Sequence, residues 1–219
     1  MSGAPDRVLL NRLIALPTGN ACDALVEMGR VPAAMRGLKS IGSGASFAGS
    51  AFTLRQIPRP IEIPLNANLT RHAQVIDEMS EPGQVIAIDT GGRDEVCTFG
   101  SILMLRAKLR GIAGVVTDGC ARDVDEIAKV GLPVHAAGSN PVGSKIFFQT
   151  VSIGEPVSCG GVQVRPGDII FGDTTGVLVI PPDLLPEIVE RAEAISRKEA
   201  KWMASIREGK SLSQAQREA

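Results

Sequence analysis

An arginine beside an aspartate near the middle of the chain, with a short glycine-led run upstream, is the residue pattern best suited to chemistry. The pair is Arg122 and Asp123, and the run comprises Gly100, Ser101, Ile102 and Leu103. A guanidinium binds carboxylate or carbonyl oxygens in a planar fork, and a carboxylate is a hard oxygen ligand suited to Mg²⁺ or Mn²⁺. The first N–H groups of a helix attract anions. Together these groups predict a site for a small 2-oxo acid, with its carboxylate on the helix start and its keto oxygen near the metal and Arg122.

The segments around these residues predict a strand, a helix and a second strand. Gln84 to Asp89 and Ile112 to Thr117 are short apolar runs typical of buried strands, and Ser101 to Arg110 has Leu and Ile at helical spacing before a capping Gly111. This length and order are expected of a βαβ unit with parallel strands. Because ligands bind at the carboxyl ends of such strands, the loops after Asp89 and from Asp118 to Asp123 are expected to meet the helix start.

The remaining pattern predicts an α/β chain organised as a single domain over residues 1–219. Its core is expected over about residues 20–182, and a long amphipathic C-terminal helix over about 183–209. That helix packs either on its own domain or on a neighbouring subunit. Further helices are predicted at Asp6 to Leu16, Ala21 to Met28, Leu69 to Met79 and Arg122 to Val130, and further strands at Phe47 to Ile57, Pro133 to Ala137, Lys145 to Val151, Val157 to Val164, Asp168 to Phe171 and Val177 to Ile180.

Composition argues against several classes of partner. The net charge is −1, aromatic residues make up 3% and tyrosine is absent, so neither the basic surface nor the stacking platforms of a nucleic-acid binder are expected. No apolar run reaches the length of a membrane span, and Met1 to Arg7 has no signal-peptide pattern. The four cysteines form no C-x-x-C pair and are expected to be reduced thiols in a cytoplasmic protein.

Ordinary structural roles compete with the chemical interpretation of several residues. An Arg-Asp pair at a helix start is common, because Asp caps the helix and Arg is solvated. Asp89 and Asp118 are typical turn formers after strands. His72 and His135 are the only histidines, and each is expected to be structural because a zinc site needs more ligands nearby.

Six segments resemble the regulator-of-ribonuclease-activity-A-like family, and the resemblance spans roughly residues 20 to 210. The similarity implies a layered β/β/α "swivelling" domain with a central βαβ unit, assembled as a homotrimer or a dimer of trimers with sites between subunits. The segments are Gly83 to Gly92, Phe99 to Leu103, Arg110 to Asp123, Cys159 to Val162, Pro166 to Asp168 and Asp173 to Pro181.

The resemblance implies an activity through one branch of that family. This branch contains the 4-hydroxy-4-methyl-2-oxoglutarate and 4-carboxy-4-hydroxy-2-oxoadipate aldolases, which need a divalent metal such as Mg²⁺, Mn²⁺ or Co²⁺, release pyruvate and also decarboxylate oxaloacetate. By position, the N–H groups of Gly100 to Leu103 bind the substrate carboxylate, Arg122 binds the carbonyl and enolate oxygen, and Asp123 ligates the metal. The branch that binds ribonuclease E lacks the acidic residue at position 123, so Asp123 favours the enzyme.

Ser101 departs from the aldolase pattern, which usually has Asp or Glu there to hold metal-bound water. Serine can hydrogen-bond a water molecule but cannot act as an anionic base. Glu199 is the positional match for a glutamate that helps from the C-terminal helix of an adjacent subunit, and Asp89 and Asp118 are further candidates around the metal. Two alternatives stay open: a non-catalytic trimeric regulator that binds proteins, and a related lyase or hydratase acting on a sugar-acid derivative.

Overall fold

The computed structural model of the protein describes residues 5–64 and 66–218. The expectation for Met1 to Arg7 therefore falls mostly outside the described part of the chain. Within that part, no helix is both long and apolar enough to cross a membrane.

The described residues form an α/β fold with a long helix near the C-terminus. The helices are α1 (Arg7–Ile14), α2 (Thr18–Glu27), α3 (His72–Gln74), α4 (Ser101–Leu109), α5 (Val124–Val130), α6 (Leu185–Arg207) and α7 (Leu212–Glu218). The strands are β1 (Ala33–Ala34), β2 (Lys39–Ile41), β3 (Phe47–Pro58), β4 (Val85–Asp89), β5 (Cys97–Phe99), β6 (Gly114–Ala121), β7 (Val134–Ser139), β8 (Phe148–Ile153), β9 (Val157–Cys159), β10 (Val162–Val164), β11 (Ile169–Gly172) and β12 (Val177–Ile180).

A parallel group of strands forms the centre of the main sheet. Strands β3, β4, β6 and β7 are neighbours in that order and run parallel, and α4 connects β4 to β6. The predicted βαβ unit is therefore confirmed. The long strand β3 also joins two parts of the sheet, because its residues Phe47 to Ser50 pair antiparallel with β11, which continues to β12 and β1.

Alternating side chains on these strands create the layers. In β4, Ile86 and Ile88 pack toward α4 and α5, whereas Val85 and Ala87 pack toward the β9–β10 hairpin and the inner face of β12. In β11, Phe171 lies with α1, α2 and α6 on the outer face. Because side chains of a strand alternate between its two faces, β4 and β11 each contribute to two apolar clusters. The result is the layered β/β/α arrangement, with α1, α2 and α6 packed outside the β11–β12 part of the main sheet.

Several local expectations were wrong. Val157 to Val164, predicted as one strand, forms the β9–β10 hairpin, and two further segments differ for a shared reason. Leu69 to Met79 forms only the short helix α3 and a π-helical turn at Val75–Met79, preceded by a left-handed Arg71 with φ of 53°. Strand β6 extends to Ala121 instead of ending at Thr117, because β5 and β7 supply hydrogen-bonding neighbours on both sides. Both differences come from pairing with distant strands or loops, which local sequence patterns do not encode.

Candidate active site

The pairing of two strands brings the predicted site segments together. Strands β5 and β6 are parallel, and Phe99 is registered with Ala121. The N–H of Arg122 donates to the carbonyl of Phe99 at 3.1 Å. The start of α4 at Gly100 and the Arg-Asp pair after β6 therefore lie side by side at the carboxyl end of the parallel strands.

Gly100 is in direct contact with both side chains of the pair. A Cβ at this position would lie 3.0 Å from Arg122 Nε and 3.0 Å from Asp123 Oδ2. The backbone of Gly100 is extended, with φ of −131° and ψ of 179°, so glycine is needed here for space and not for an unusual dihedral angle. The absence of a side chain lets the guanidinium and the carboxylate approach the helix start closely.

Asp123 caps a helix that is distant from it in sequence. Its Oδ2 accepts hydrogen bonds from the backbone N–H of Ser101 at 3.2 Å and from Ser101 Oγ at 3.1 Å. Although Asp123 precedes α5, its side chain makes no capping hydrogen bond to that helix, and its φ is 59°. The ordinary explanation of an Arg-Asp pair, a cap on the helix that follows, does not apply. A left-handed non-glycine residue costs conformational energy that surrounding contacts must offset.

The pair is open to solvent. The Arg122 and Asp123 side chains are 45% and 41% exposed, and Arg122 Nε lies 3.6 Å from Asp123 Oδ2. This is not a buried ion pair, and a small anion or a cation can reach both groups. A Cβ at Gly143 would lie 3.1 Å from Arg122 Nη1, so the loop after β7 forms one wall beside the guanidinium.

A thiol lies below this surface. Cys97 in β5 is buried, and that burial raises its pKa, although the positive charge of Arg122 acts in the opposite direction. A raised pKa keeps the thiol protonated at neutral pH. The buried surroundings of Cys97 therefore favour the neutral thiol next to the site.

The donors present are compatible with a cation that takes most of its ligands from water and substrate. Among the described residues, no three His, Cys, Asp or Glu side chains are grouped as a metal site. Asp123 supplies one carboxylate, and its protein contacts within the described chain are all made by Oδ2. Mg²⁺ is commonly held by one or two carboxylates together with several waters and substrate oxygens, so this donor set fits Mg²⁺ better than zinc.

The structure places Asp89 and Asp118 in loop-forming roles. Asp118 accepts hydrogen bonds from the Thr90 N–H at 2.7 Å, from Thr90 Oγ1 at 2.9 Å and from the Gly92 N–H at 3.0 Å. Burial raises the Asp118 pKa, and these hydrogen bonds oppose the rise. Asp89 accepts from the N–H groups of Gly91 and Ser158 at 2.7 and 3.2 Å. Both carboxylates fix loops at this end of the sheet.

Three other predicted residues occupy different surroundings. Ile102 is 80% exposed on α4, whereas Leu103 packs against the apolar cluster beneath that helix. Glu199 lies on α6, where its Oε2 accepts from Asn20 Nδ2 on α2 at 2.9 Å. Within one chain, Glu199 is therefore engaged with α2 and does not join Arg122.

Gly143 is a site residue that the sequence argument missed. The structure places the loop after β7 at the same sheet edge as Arg122. The sequence predicts a strand at Pro133 to Ala137 without including its carboxyl end in the site. Applying the strand-end rule to this third parallel strand would have identified the loop.

Comparisons with known proteins agree with this architecture. The family model described as "RraA-like: Aldolase/RraA" matches residues 18–179. "Protein DlpA" of Legionella pneumophila is 32% identical over 207 residues, which cover 94% of this chain but 33% of DlpA. The chain thus spans about a third of that relative's length.

Two further relatives match nearly over their full length. A Pseudomonas syringae protein named "Putative 4-hydroxy-4-methyl-2-oxoglutarate aldolase" is 33% identical over 174 residues, covering 78% of this chain and 98% of the relative. The chain also resembles the crystal structure of Streptomyces coelicolor RraAS2, described as an unusual member of the RNase ES inhibitor RraA protein family. The two align with a TM-score of 0.78 at 27% identity, and the alignment covers 94% of this chain and 99% of that one. By its matched residues, its fold and these relatives, the chain belongs to the RraA-like family.

Proposed function

We propose that this protein is a divalent-metal-dependent carbon–carbon lyase of the class II pyruvate aldolase type. Its substrate would be a 4-hydroxy-2-oxo acid or oxaloacetate, and its common product pyruvate. The observation that carries the proposal is the contact between the start of α4 and the Arg-Asp pair, in which Ser101 donates to Asp123 Oδ2 at 3.2 and 3.1 Å. A helix start that could bind an anion, the guanidinium of Arg122 and the carboxylate of Asp123, which could ligate a metal, lie within one small exposed area.

The chemistry required is stabilisation of an enolate. When the bond next to the ketone breaks, negative charge develops on the keto oxygen, and a positioned guanidinium stabilises it. In this proposal Arg122 binds that oxygen while the N–H groups at the start of α4 hold the carboxylate. A divalent cation on Asp123, with Mg²⁺ the first choice and Mn²⁺ or Co²⁺ as alternatives, would add Lewis-acid stabilisation of the same charge.

Asp123 occupies part of the helix start that the substrate carboxylate would use. Its Oδ2 is bonded to the Ser101 N–H, so a 2-oxo acid whose carboxylate takes that N–H has to displace it. Its exposure of 41% allows that movement. A cation that draws the Asp123 carboxylate away from Ser101 would therefore favour substrate binding.

An assembled form would complete the site. Ile102, Leu105 and Leu109 lie at helical spacing on α4 and are 80%, 50% and 71% exposed, an arrangement typical of a surface covered by a partner. We propose a homotrimer or a dimer of trimers, in which Glu199 of one subunit approaches the Arg122 and Asp123 of another.

The direct test is pyruvate release from 4-hydroxy-4-methyl-2-oxoglutarate and from oxaloacetate. Activity with Mg²⁺ should be abolished by EDTA and by Asp123→Ala, and calorimetry should show loss of Mn²⁺ binding in the same variant. Asp125→Ala is the matched control, because Asp125 is an exposed acid in the first turn of α5. Failure to turn over either substrate with Mg²⁺, Mn²⁺ or Co²⁺ would contradict the proposal.

A non-catalytic regulator that binds proteins is the second candidate. The similarity to Streptomyces coelicolor RraAS2 and the exposed apolar stripe on α4 favour it. In that case a protein captured from lysate should bind equally to Asp123→Ala and lose binding in Leu105→Asp. A lyase or hydratase acting on sugar-acid derivatives is a third possibility, and a panel of 2-oxo sugar acids would reveal it.

A further inference from the structure

Two thiols meet across a pair of neighbouring strands beside the candidate active site. Cys97 in β5 and Cys120 in β6 are distant in sequence, but they are registered partners in the parallel pairing of the two strands. The Cys120 N–H donates to the Val96 carbonyl at 3.4 Å and so supports this register. Because registered residues of neighbouring strands point to the same face of a sheet, the two thiols lie side by side.

The spacing of the strands suits an ion between the two sulfurs better than a bond between them. Neighbouring strands lie about 4.8 Å apart, and directly opposed Cβ atoms in a parallel pair have about that separation. A disulfide needs Cβ atoms about 3.8 Å apart, so closing one would pull β5 and β6 together. A metal–thiolate bond is about 2.3 Å long, so one ion can bridge sulfurs up to about 4.6 Å apart while both strands stay in place.

The surroundings of the two thiols select the kind of ion. Cys97 and Cys120 are 3% and 4% exposed, and burial raises the pKa of both thiols. A cation must therefore displace tightly held protons, which soft cations do because they bond strongly to sulfur. Among the described residues, no third His, Cys, Asp or Glu side chain joins the pair, so the donors do not suit Zn²⁺, which takes three or four protein ligands.

Arg122 balances the charge that such a site would carry. Two thiolates around one monovalent cation have a net charge of −1. The positive charge of Arg122 acts on the Cys97 thiol and opposes the effect of burial on its pKa. Gly143 lies between the two residues: it is bridged to Cys97, and a Cβ on it would lie 3.1 Å from Arg122 Nη1. The guanidinium is thus close enough to stabilise the thiolate form of the pair.

We propose that Cys97 and Cys120 form a two-coordinate site for a soft monovalent cation, with Cu⁺ as its ligand. Two S–H groups release their protons to water and two S–Cu bonds form, with no change in oxidation state. The site shares no donor with Asp123, the proposed ligand of the divalent metal, so it is independent of the proposed lyase activity. Bound Cu⁺ would link β5 to β6 directly before Gly100 and Arg122.

Anaerobic titration of the purified protein with Cu⁺, in competition with the chelator bicinchoninate, tests this proposal. The unmodified protein should bind one Cu⁺ per chain. Cys97→Ser and Cys120→Ser should each lower the affinity by more than about 100-fold, since loss of a partner outside the ligand shell already costs about 10–100-fold. Cys22→Ser is the matched control, because Cys22 is a half-buried thiol on α2, and it should bind Cu⁺ as the unmodified protein does.

Three results would overturn the proposal. These are no stoichiometric binding by the unmodified protein, undiminished binding by either variant of the pair, and loss of Cu⁺ binding in Asp123→Ala, which would assign the ion to the carboxylate. If the serine variants of the pair do not fold, X-ray absorption of the Cys22→Ser protein loaded with Cu⁺ decides. Two sulfur neighbours would support the site, whereas a third sulfur or any nitrogen or oxygen neighbour would contradict it.

Discussion

Replacing Gly100 with alanine should lower kcat/KM while changing the free energy of unfolding only slightly. The added Cβ would lie 3.0 Å from Arg122 Nε, 3.0 Å from Asp123 Oδ2 and 3.1 Å from Arg122 Cγ, so both side chains have to move by several tenths of an ångström. The extended backbone of Gly100 accepts alanine without strain. Because Arg122 and Asp123 are 45% and 41% exposed, they can swing outward, and the unfolding free energy should change by less than about 1 kcal/mol.

Catalysis should respond more strongly to the same change. A displacement of about 1 Å in a positioned group costs on the order of 100-fold in rate, so a shift of several tenths of an ångström should cost on the order of 10-fold, equivalent to about 1.4 kcal/mol. The assay is kcat/KM for pyruvate release, together with thermal unfolding, in which the midpoint should move by less than about 4 °C. Gly19→Ala is the control, because nothing lies within 4 Å of a Cβ at that exposed position. A folded Gly100→Ala protein with undiminished kcat/KM would refute the argument that close approach at Gly100 positions the site.

Three further predictions concern stability, each measured by urea unfolding. Asp173→Ala should lower the free energy of unfolding by about 3 kcal/mol, because the Asp173 carboxylate accepts from the N–H and hydroxyl of Thr18 at 2.8 and 2.9 Å. Burial raises the Asp173 pKa, but the hydrogen bonds outweigh it and the pKa is lowered, so this contribution should disappear as pH falls below about 4. If the variant lost stability with acid in the same way as the unmodified protein, the prediction would be contradicted. His72 is buried, and burial lowers its pKa to about 4, so between about pH 6.5 and 4 only the unfolded state takes up a proton at this residue. The free energy of unfolding should therefore fall by about 3 kcal/mol over that range, and His72→Gln should make it less dependent on pH. Gly172→Ala should destabilise by about 1–3 kcal/mol, because its Cβ would lie 2.5 Å from Phe47 Cε1, and a neutral result would mean that the Phe47 ring is free to move.

Local sequence patterns were sufficient to predict those elements whose structure depends on residues that are neighbours in the chain. The apolar runs before Asp89 and Thr117 and the helical spacing after Gly100 predicted the β4–α4–β6 unit. Strand alternation and helical amphipathicity are properties of consecutive residues, so they can be read without coordinates. The strand-end rule then placed the helix start and Arg122 at one edge.

The start of α2 shows where such patterns fail. The sequence pattern ends the first helix at Leu16 and starts the next at Ala21. The structure starts α2 at Thr18, with the carboxylate of Asp173, 155 residues away in sequence, accepting from its backbone N–H. The capping group comes from a turn after β11, and no local pattern could reveal it.

The sequence alone determined the chemical groups of the candidate site: a helix start led by glycine and serine, a guanidinium, and a single adjacent carboxylate. Only the tertiary structure decided that Asp123 caps α4 instead of α5 and that Asp89 and Asp118 are occupied by loop N–H groups. The physical reason is that a carboxylate takes whichever unpaired N–H groups lie near it. Which ones lie near Asp123 depends on the pairing of β5 with β6, strands whose contact is set by the whole sheet and not by the residues beside Asp123.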